Sequence, residues 1–231
     1  MSEYSEIARF SSAEGLTVKQ EEEGNEKRNE KDGYTGCIGG ICIIFVPGCS
    51  EKPDAEAYVN AALDAIYHRE CGEYAELIRV SESQAEEEIE KTFQENMSAA
   101  FSGDTVTSDE DKEAYTDAVR EVYKAARYEV TGSKETEEGF AVTVCAEPCM
   151  VFDHLEDGVT EKITQALEDG TYAEDKTVSY VTQYLNEALK ENEYGPETEI
   201  EINVTIDGDG VCQISEEDLL KIENTLFPGA A

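Results

Sequence analysis

Helical spacing of apolar residues recurs along most of the chain after residue 54. An N-cap at Asp54, directly after Pro53, predicts a first helix that runs to Gly72. A capping box formed by Ser81 and Gln84 predicts the start of a second helix. The same spacing predicts four further helices: one from about Ser108, one with Val159, Ile163 and Leu167 on its buried face before Gly170, one before Gly195, and a short one capped by Ser215.

Two segments show the period of two that is typical of β-hairpins. In the first, Tyr128 and Val130 are followed by Phe140, Val142 and Val144, with a turn at residues 136–139. The second runs from residue 200 to 206, turns at 207–210 and returns through 211–214. Helices first, followed by hairpins separated by helices, predict an α+β domain in which helices pack on one face of an antiparallel sheet built from the two hairpins.

The first 50 residues follow no such period. Residues 1–32 are acidic with few apolar positions, so we expect them to be disordered. Residues 33–50 carry no charge, and their apolar centre at 36–46 is too short for a transmembrane helix. It has the length of the hydrophobic region of a signal peptide, and Lys27, Arg28 and Lys31 stand before it as a basic region.

The uncharged segment ends in Val46-Pro47-Gly48-Cys49 and is followed by polar residues. This resembles the lipobox of bacterial lipoproteins, in which an aliphatic residue at −3 and a small residue at −1 precede a lipidated cysteine. The resemblance implies that residues 33–48 are removed as a signal segment and that Cys49 becomes the diacylated first residue of an extracytoplasmic domain, 49–231. Two acyl chains would hold such a domain stably at the membrane.

An alternative places the chain in the cytoplasm. In that interpretation residues 36–49 form a buried core strand rather than a signal segment. The long acidic segment before Lys27 is unusual for a signal peptide, and a true translation start nearer Lys27 would restore a normal length.

The charge of the chain limits its partners. The 54 acidic residues against 18 basic ones give a net charge of −36. Such a field repels phosphate backbones, so we expect no nucleic-acid partner. It favours cationic partners and loosely held divalent ions, although a strongly solvated acidic surface needs no specific cation.

Seven cysteines occur in the chain, and four of them follow Cys49: Cys71, Cys145, Cys149 and Cys212. In an exported domain these four could form two disulfides in any of three connectivities. Cys145 and Cys212 lie on different predicted hairpins, and a disulfide between them would form if the two hairpins are neighbours. Buried thiols are the alternative, because an anaerobic source would leave them reduced.

The sequence gives less support for a metal site or a catalytic site than for the lipid-attachment site. His68 with Cys71, and Cys145 and Cys149 with His154, offer ligands that zinc prefers, but their spacing matches no common zinc module. Residues 207–210 resemble part of a calcium loop, although the preceding strand pattern favours a hairpin turn. Signature motifs of nucleotide binding, metalloproteases or serine hydrolases are absent from the sequence. We therefore single out no catalytic residue and expect no metal or cofactor.

The order of elements after Cys49 also resembles small lipoproteins of Gram-positive bacteria. Those proteins show Cys-Ser and a Lys-Pro-Asp stretch before a helix, as at residues 49–54 here, and close with a strand, an Asp-Gly turn, a short strand and an acidic-capped helix, as at 200–226. The resemblance implies a cystatin-like or NTF2-like fold in a family without an assigned function. We expect a non-enzymatic module that binds a small molecule, peptide or protein. The alternative is an extracytoplasmic hydrolase with paired carboxylates.

Overall fold

A computed structural model describes residues 53–102, 106–191, 193–206 and 212–230. The expected disordered segment, the signal segment, Cys49 and the turn at 207–210 lie outside these residues. The described elements, in chain order, are α1 (Ala55–Leu63), α2 (Gly72–Ile78), α3 (Glu82–Ala100), α4 (Asp109–Lys124), β1 (Arg127–Glu135), β2 (Gly139–Glu147), α5 (Leu155–Glu168), α6 (Thr177–Glu191), β3 (Thr198–Ile206), β4 (Cys212–Ile214) and α7 (Glu216–Leu226).

The prediction of an α+β domain is confirmed. Seven α-helices accompany one antiparallel sheet of four strands in the described part of the chain, in the order β1-β2-β3-β4. No helix among the described residues is long and apolar enough to cross a membrane.

Side-chain caps fix the starts of several helices where the sequence predicts them. Asp54 accepts a hydrogen bond from the Ala57 backbone at 3.0 Å, and Ser81 and Gln84 form the reciprocal capping box. Ser108 and Ser215 cap α4 and α7 through the backbone N–H of the third helical residue. Each cap satisfies a backbone donor that has no partner within its own helix.

The first helix differs from the prediction. Its α-helical part ends at Leu63, a π-helical turn follows over Asp64–His68, and Arg69 then takes a left-handed conformation with φ of 63°. A separate helix, α2, starts at Gly72, where the sequence predicted an end. Ala65 and Tyr67 on the π-helical turn are still buried, so the apolar spacing continues through the break. Periodicity alone therefore does not reveal where the α-helix ends.

The sheet buries one face and leaves the other open. Val142, Val144 and Ala146 of β2 point to the covered face, and each is 0% exposed. Strand β3 pairs Ile200 with Val144 and Ile202 with Val142, which continues the apolar surface across the strands. Helices α1 and α7 both contact strands of this sheet, and their own buried residues join the same core. Helices therefore cover one face of the sheet, as in other half-solvated antiparallel sheets.

Helix α7 also covers the edge of β3 beyond the three-residue strand β4. The Asn203 backbone N–H donates to the Asp218 carboxylate at 3.2 Å, and the Lys221 ammonium donates to the Glu201 carbonyl at 2.6 Å. These contacts satisfy edge groups that would otherwise be open to another strand.

One predicted core residue is on the surface. Leu167 is 58% exposed, although Val159 and Ile163 of the same helix are buried as expected. Ala166 is buried in its place, so the buried face of α5 continues from Ile163 through Ala166 and leaves Leu167 beside it on the solvent side.

Candidate functional site

The open face of the sheet carries a row of small side chains between rows of longer polar ones. Ala141, Thr143 and Cys145 form the central row on β2, alternating with the buried residues of that strand. Cys145 pairs with Glu129 on β1 and with Glu199 on β3. The glutamates are exposed, whereas Cys145 is only 8% exposed. This open face is a shallow, mainly acidic surface with a narrow uncharged centre.

One end of the open face is closed by an ion pair. The Arg127 guanidinium lies 3.2 Å from the Glu147 carboxylate on the adjacent strand. It also lies 3.6 Å from the centre of the Tyr194 ring, and Tyr194 donates a hydrogen bond to the Ala125 carbonyl. Arg127 is thereby held in place as a cation between an aromatic face and a carboxylate.

A second polar cluster lies where the π-helical turn meets β1. The Tyr128 hydroxyl donates to Asp64 Oδ1 at 2.6 Å, and Asn60 donates to Asp64 Oδ2 at 2.7 Å. His68 stacks on the Tyr128 ring at 5.3 Å, and its Nε2 lies 3.0 Å from the Ala126 carbonyl. Since a carbonyl only accepts, Nε2 carries a proton. His68 Nδ1 lies 3.4 Å from Asp64 and 3.3 Å from the Tyr128 hydroxyl.

The chemistry of this cluster favours a structural role. Burial, together with the hydrogen bond to Asp64, raises the pKa of the Tyr128 hydroxyl and keeps it protonated as a donor. A tyrosine that acts as a general base needs a lowered pKa, so that its hydroxyl can lose the proton. The interactions join α1 and the π-helical turn to the start of β1. Sequence patterns did not predict this site. The spacing of Asp64 and His68, four residues apart, is a signal for proximity on a helix, but nothing in the sequence indicates that Tyr128 joins them.

A third cluster lies inside the helical layer. Glu223 on α7 accepts a hydrogen bond from the Tyr123 hydroxyl at 2.6 Å, and burial raises the pKa of the Glu223 carboxyl. Tyr123 stacks on Phe227 with 5.5 Å between ring centres, and it packs edge-on against the buried ring of Tyr67. Desolvation raises the pKa of the Tyr67 and Tyr123 hydroxyls, so both hydroxyls stay protonated, like that of Tyr128.

Arginine side chains pack around one aromatic ring beside these clusters. The guanidinium groups of Arg69 and Arg120 lie 4.9 Å and 5.0 Å from the centre of the Phe93 ring. Both pair with Glu90, at 3.4 Å and 2.8 Å respectively. The shared Glu90 carboxylate and the contact with the Phe93 ring offset the repulsion between the two guanidinium groups.

The structure does not bring Cys145 and Cys212 together. Cys145 pairs with Glu199, whereas Cys212 pairs with Ile206 near the other end of β3. The two partner positions are separated by about 24 Å at roughly 3.4 Å per residue. A disulfide requires Cα atoms about 4.4–6.8 Å apart. This sheet register is therefore incompatible with the expected disulfide.

The metal interpretation gains no support from the described residues. They contain no group of three or more His, Cys, Asp and Glu side chains placed to hold a metal ion. The Nε2 atom of His68 faces a carbonyl, and His154 is an exposed residue beside Asp153. Cys71 is buried in the helical core, and Cys149 is fully buried beside an isolated bridge to Tyr194.

The covered face of the sheet is filled by side chains. A shallow, open depression of about 650 Å³ lies instead on the outer side of α7, lined by residues that include Glu217, Leu220 and Lys221. A small-molecule site on the covered face would have to displace fully buried residues such as Val142 and Ile202. The open face is therefore the part of the sheet that a partner can reach.

Comparison with known protein families assigns the chain to a family. Residues 52–225 match a family described as a domain of unknown function, DUF5105. The chain belongs to this family. Among solved structures, the DUF5105 domain is similar to the crystal structure of a candidate lipoprotein, YcdA, from Bacillus subtilis, with 12% identity and a TM-score of 0.49. The similarity covers 75% of this chain and 56% of that chain, so this chain spans little more than half of the other protein. No curated protein matches the chain in sequence.

The DUF5105 domain begins close to the predicted lipid-attachment residue. Its family match starts at residue 52, and its first helix is capped by Asp54. Cys49 therefore lies three residues before the family match and five before the cap. Cleavage before Cys49 would leave the whole family domain intact.

Proposed function

We propose that this protein is a lipoprotein anchored through Cys49 on the extracytoplasmic face of the membrane, where its DUF5105 domain acts as a non-enzymatic interaction module. One observation carries the proposal. The lipobox-like sequence ends at Cys49, and the folded family domain begins only a few residues later. This is the spacing expected when a processed cysteine becomes the first residue of a tethered domain.

The open face of the sheet is our candidate for the interaction surface. It is polar and solvated. Glu199 and Glu201 on β3, with Glu129 on β1, suit a peptide or protein partner that carries positive charge, whereas β1 also presents Arg127 and Lys134 on this face. The covered face supports this choice, because its packed aliphatic side chains leave little room for a small molecule. We also propose a cystatin-like or NTF2-like arrangement, in keeping with helices packed on one face of an antiparallel sheet. The sequence pattern at residues 49–54 and 200–226 is our reason for proposing a Gram-positive source.

A hydrolase with paired carboxylates receives less support. The buried β2 and β3 side chains that point to the covered face are aliphatic, including Val144, Ile200 and Val204. The polar clusters around Asp64 and Glu223 bond their carboxylates to tyrosine hydroxyls rather than to each other. A carboxylate that receives such a bond is held in place by the fold.

Detergent-phase partitioning of the full-length gene product tests the anchor. We expect the wild type expressed in a Gram-positive host to enter the detergent phase, and Cys49→Ala to lose this behaviour. Cys42→Ala is the matched control, since it changes a cysteine of the same uncharged segment without touching the attachment residue. Protease treatment of intact cells then reports the face, because an extracytoplasmic domain is accessible to the protease. Equal detergent partitioning of wild type and Cys49→Ala would contradict the proposal.

A further inference from the structure

Exposed apolar side chains gather at one end of the helical layer. The exposed large apolar residues of the described chain are Val80, Val106, Leu167 and Tyr172. Leu167 and Tyr172 lie at the junction of α5 and α6, where the Tyr172 N–H bonds the Ala166 carbonyl at 3.1 Å. Val106 is 59% exposed and lies just before α4. We call Val106, Leu167 and Tyr172 the helix-end patch.

A shared carboxylate brings the two parts of the helix-end patch to the same end of the layer. Lys176, just before α6, donates to the Asp111 carboxylate on α4 at 2.8 Å, and Ser108 donates to the same oxygen at 2.6 Å. The N-terminal ends of α4 and α6 therefore lie side by side. Val106 precedes Ser108 by only two residues. Tyr172 precedes Lys176 by four, so the patch borders both helix starts.

The helix-end patch lies far from the open face of the sheet. The C-terminal ends of α4 and α6 both lead to the start of the sheet, where Tyr194 bonds the Ala125 carbonyl and packs on Arg127. Helix α4 has 16 residues and is about 24 Å long at roughly 1.5 Å per residue. A partner on the patch therefore contacts the domain about a helix length away from the first strand.

Acidic residues surround the helix-end patch. Residues 106–113 and 167–176 contain eight acidic residues against two lysines. Both lysines are already engaged, since Lys176 pairs with Asp111 and the Lys112 ammonium lies 5.5 Å from the centre of the Phe101 ring. The seven acidic residues other than Asp111 are exposed. This end of the domain therefore attracts cations.

The C-terminal end of α5 carries acid where a helix favours a cation. Leu167 is followed by Glu168, the last residue of α5, and by Asp169, its C-cap, and the last turn contains no basic residue. Carbonyl groups at a helix C-terminus carry partial negative charge, so acidic side chains there raise the free energy of the helix. A cation supplied by a partner would offset this charge directly beside the exposed leucine.

We propose that the helix-end patch is a docking surface for a basic, amphipathic segment of another protein. The three apolar residues of the patch contact the apolar side chains of that segment, and the surrounding carboxylates pair with its lysines or arginines. Acidic peptides and nucleic acids do not fit, because their carboxylates or phosphates would face the same acidic surroundings. The surface requires neither the open face nor the lipid anchor.

Binding of a synthetic peptide to the full chain tests the docking surface. The probe is a fluorescent amphipathic helical peptide of leucine and lysine, and its counterpart has glutamate in place of every lysine. The chain carries Cys49→Ala, so that neither lipid nor detergent competes for the peptide. Fluorescence anisotropy should show saturable binding of the lysine peptide and none of the glutamate peptide.

Removal of the apolar contact should weaken this binding. We expect Leu167→Ser to raise the Kd of the lysine peptide about fivefold or more, because the exposed leucine surface is no longer available for burial. Val80→Ser is the matched control. It removes another exposed apolar side chain, at the opposite end of α3 from Phe101, and should leave the Kd unchanged.

Removal of the acid beside Leu167 should also weaken the binding. We expect Glu168→Gln combined with Asp169→Asn to raise the Kd about threefold at low salt, and by less at high salt, where the charges are screened. Glu137→Gln combined with Glu138→Gln is the matched control, since it removes two exposed charges from the β1–β2 turn.

A carbodiimide cross-linker couples the lysines of the bound peptide to carboxylates and so locates the peptide. Cross-links to Glu168, Asp169 or Asp175 would support the docking surface. Three results would overturn it: no saturable binding, equal weakening by the variants at 167 and 80, or cross-links confined to Glu199 and Glu201. The last result would assign the peptide to the open face and leave that proposal intact.

Discussion

Tyr128 donates a hydrogen bond to Asp64 across 2.6 Å and thereby joins β1 to the π-helical turn that follows α1. Asp64 also receives a bond from Asn60, so its carboxylate is held from two elements of the fold. A partly buried carboxylate that loses such a donor keeps part of its desolvation cost without compensation.

Tyr128→Phe should therefore destabilise the protein by about 1–2 kcal/mol. Chemical denaturation followed by circular dichroism would measure the change. Tyr115→Phe is the control, because it removes a hydroxyl from a buried ring that packs on Phe101 rather than on a carboxylate. Equal losses in the two variants would show that the bond to Asp64 contributes nothing specific.

Glu223 should make the protein less stable as the pH rises. Burial raises the pKa of its carboxyl in the folded state above the usual value of 4.5. The folded state then binds its proton more tightly than the unfolded state, so the favourable contribution is complete below pH 4.5 and is lost as the pH passes the raised pKa. Glu223→Gln should be more stable than the wild type at pH 7 and similar to it near pH 4, as measured by urea denaturation at both pH values.

Asp111 should show the opposite dependence. Hydrogen bonds from Lys176 at 2.8 Å and Ser108 at 2.6 Å lower the pKa of its carboxyl. Its contribution is therefore present above the unfolded pKa and is lost as the pH falls through the lowered one. Asp111→Asn should be less stable than the wild type at pH 7, with a difference that shrinks in acid. If Asp111→Asn and Glu223→Gln changed stability in the same direction at pH 7, the assigned environments would be incorrect.

Gly139 is required by the close approach of β2 to β3. A Cβ at this position would overlap the Val204 carbonyl oxygen on the adjacent strand. Gly139→Ala should cost about 1–3 kcal/mol, because the strands must separate. Gly132→Ala is the matched control: it lies on β1, where an added Cβ would meet nothing within 4 Å, so its effect should stay within about 0.5 kcal/mol. Similar thermal denaturation midpoints for the two variants would contradict the sheet register.

The cysteines give a separate test of the register. Under mild oxidation, Cys145 and Cys212 should not become linked in the folded protein, since their positions along β3 are too far apart. Peptide mapping without reduction would show this directly. A peptide that joins Cys145 to Cys212 would require a different pairing of β3 with its neighbours.

Sequence patterns predicted the local structure well where one residue type determines it. Asp54, Ser81 and Ser215 cap the helices they were expected to cap, and α4 starts next to Ser108 as predicted, because an N-cap depends on residues only three positions away. The strands were found because one face of the sheet is covered and the other solvated, which produces an alternating pattern.

Features that depend on distant contacts were missed. Arg69 leaves the helix in a left-handed conformation although it is not a glycine, and its guanidinium packs on Phe93 more than twenty positions away. The pairing of Tyr128 with Asp64 and of Tyr123 with Glu223 likewise joins elements that are far apart in sequence. The expected link between Cys145 and Cys212 failed for the same reason, since hairpin order alone does not fix the register.

Intact mass spectrometry of the membrane-fraction protein tests the lipoprotein assignment most directly. The full gene would be expressed in a Gram-positive host and the product extracted with detergent. We expect a chain that begins at Cys49 and carries the added mass of a diacylglyceryl group. An unmodified, soluble chain that retains residues 1–48 would contradict the assignment and would return the DUF5105 domain to the cytoplasm.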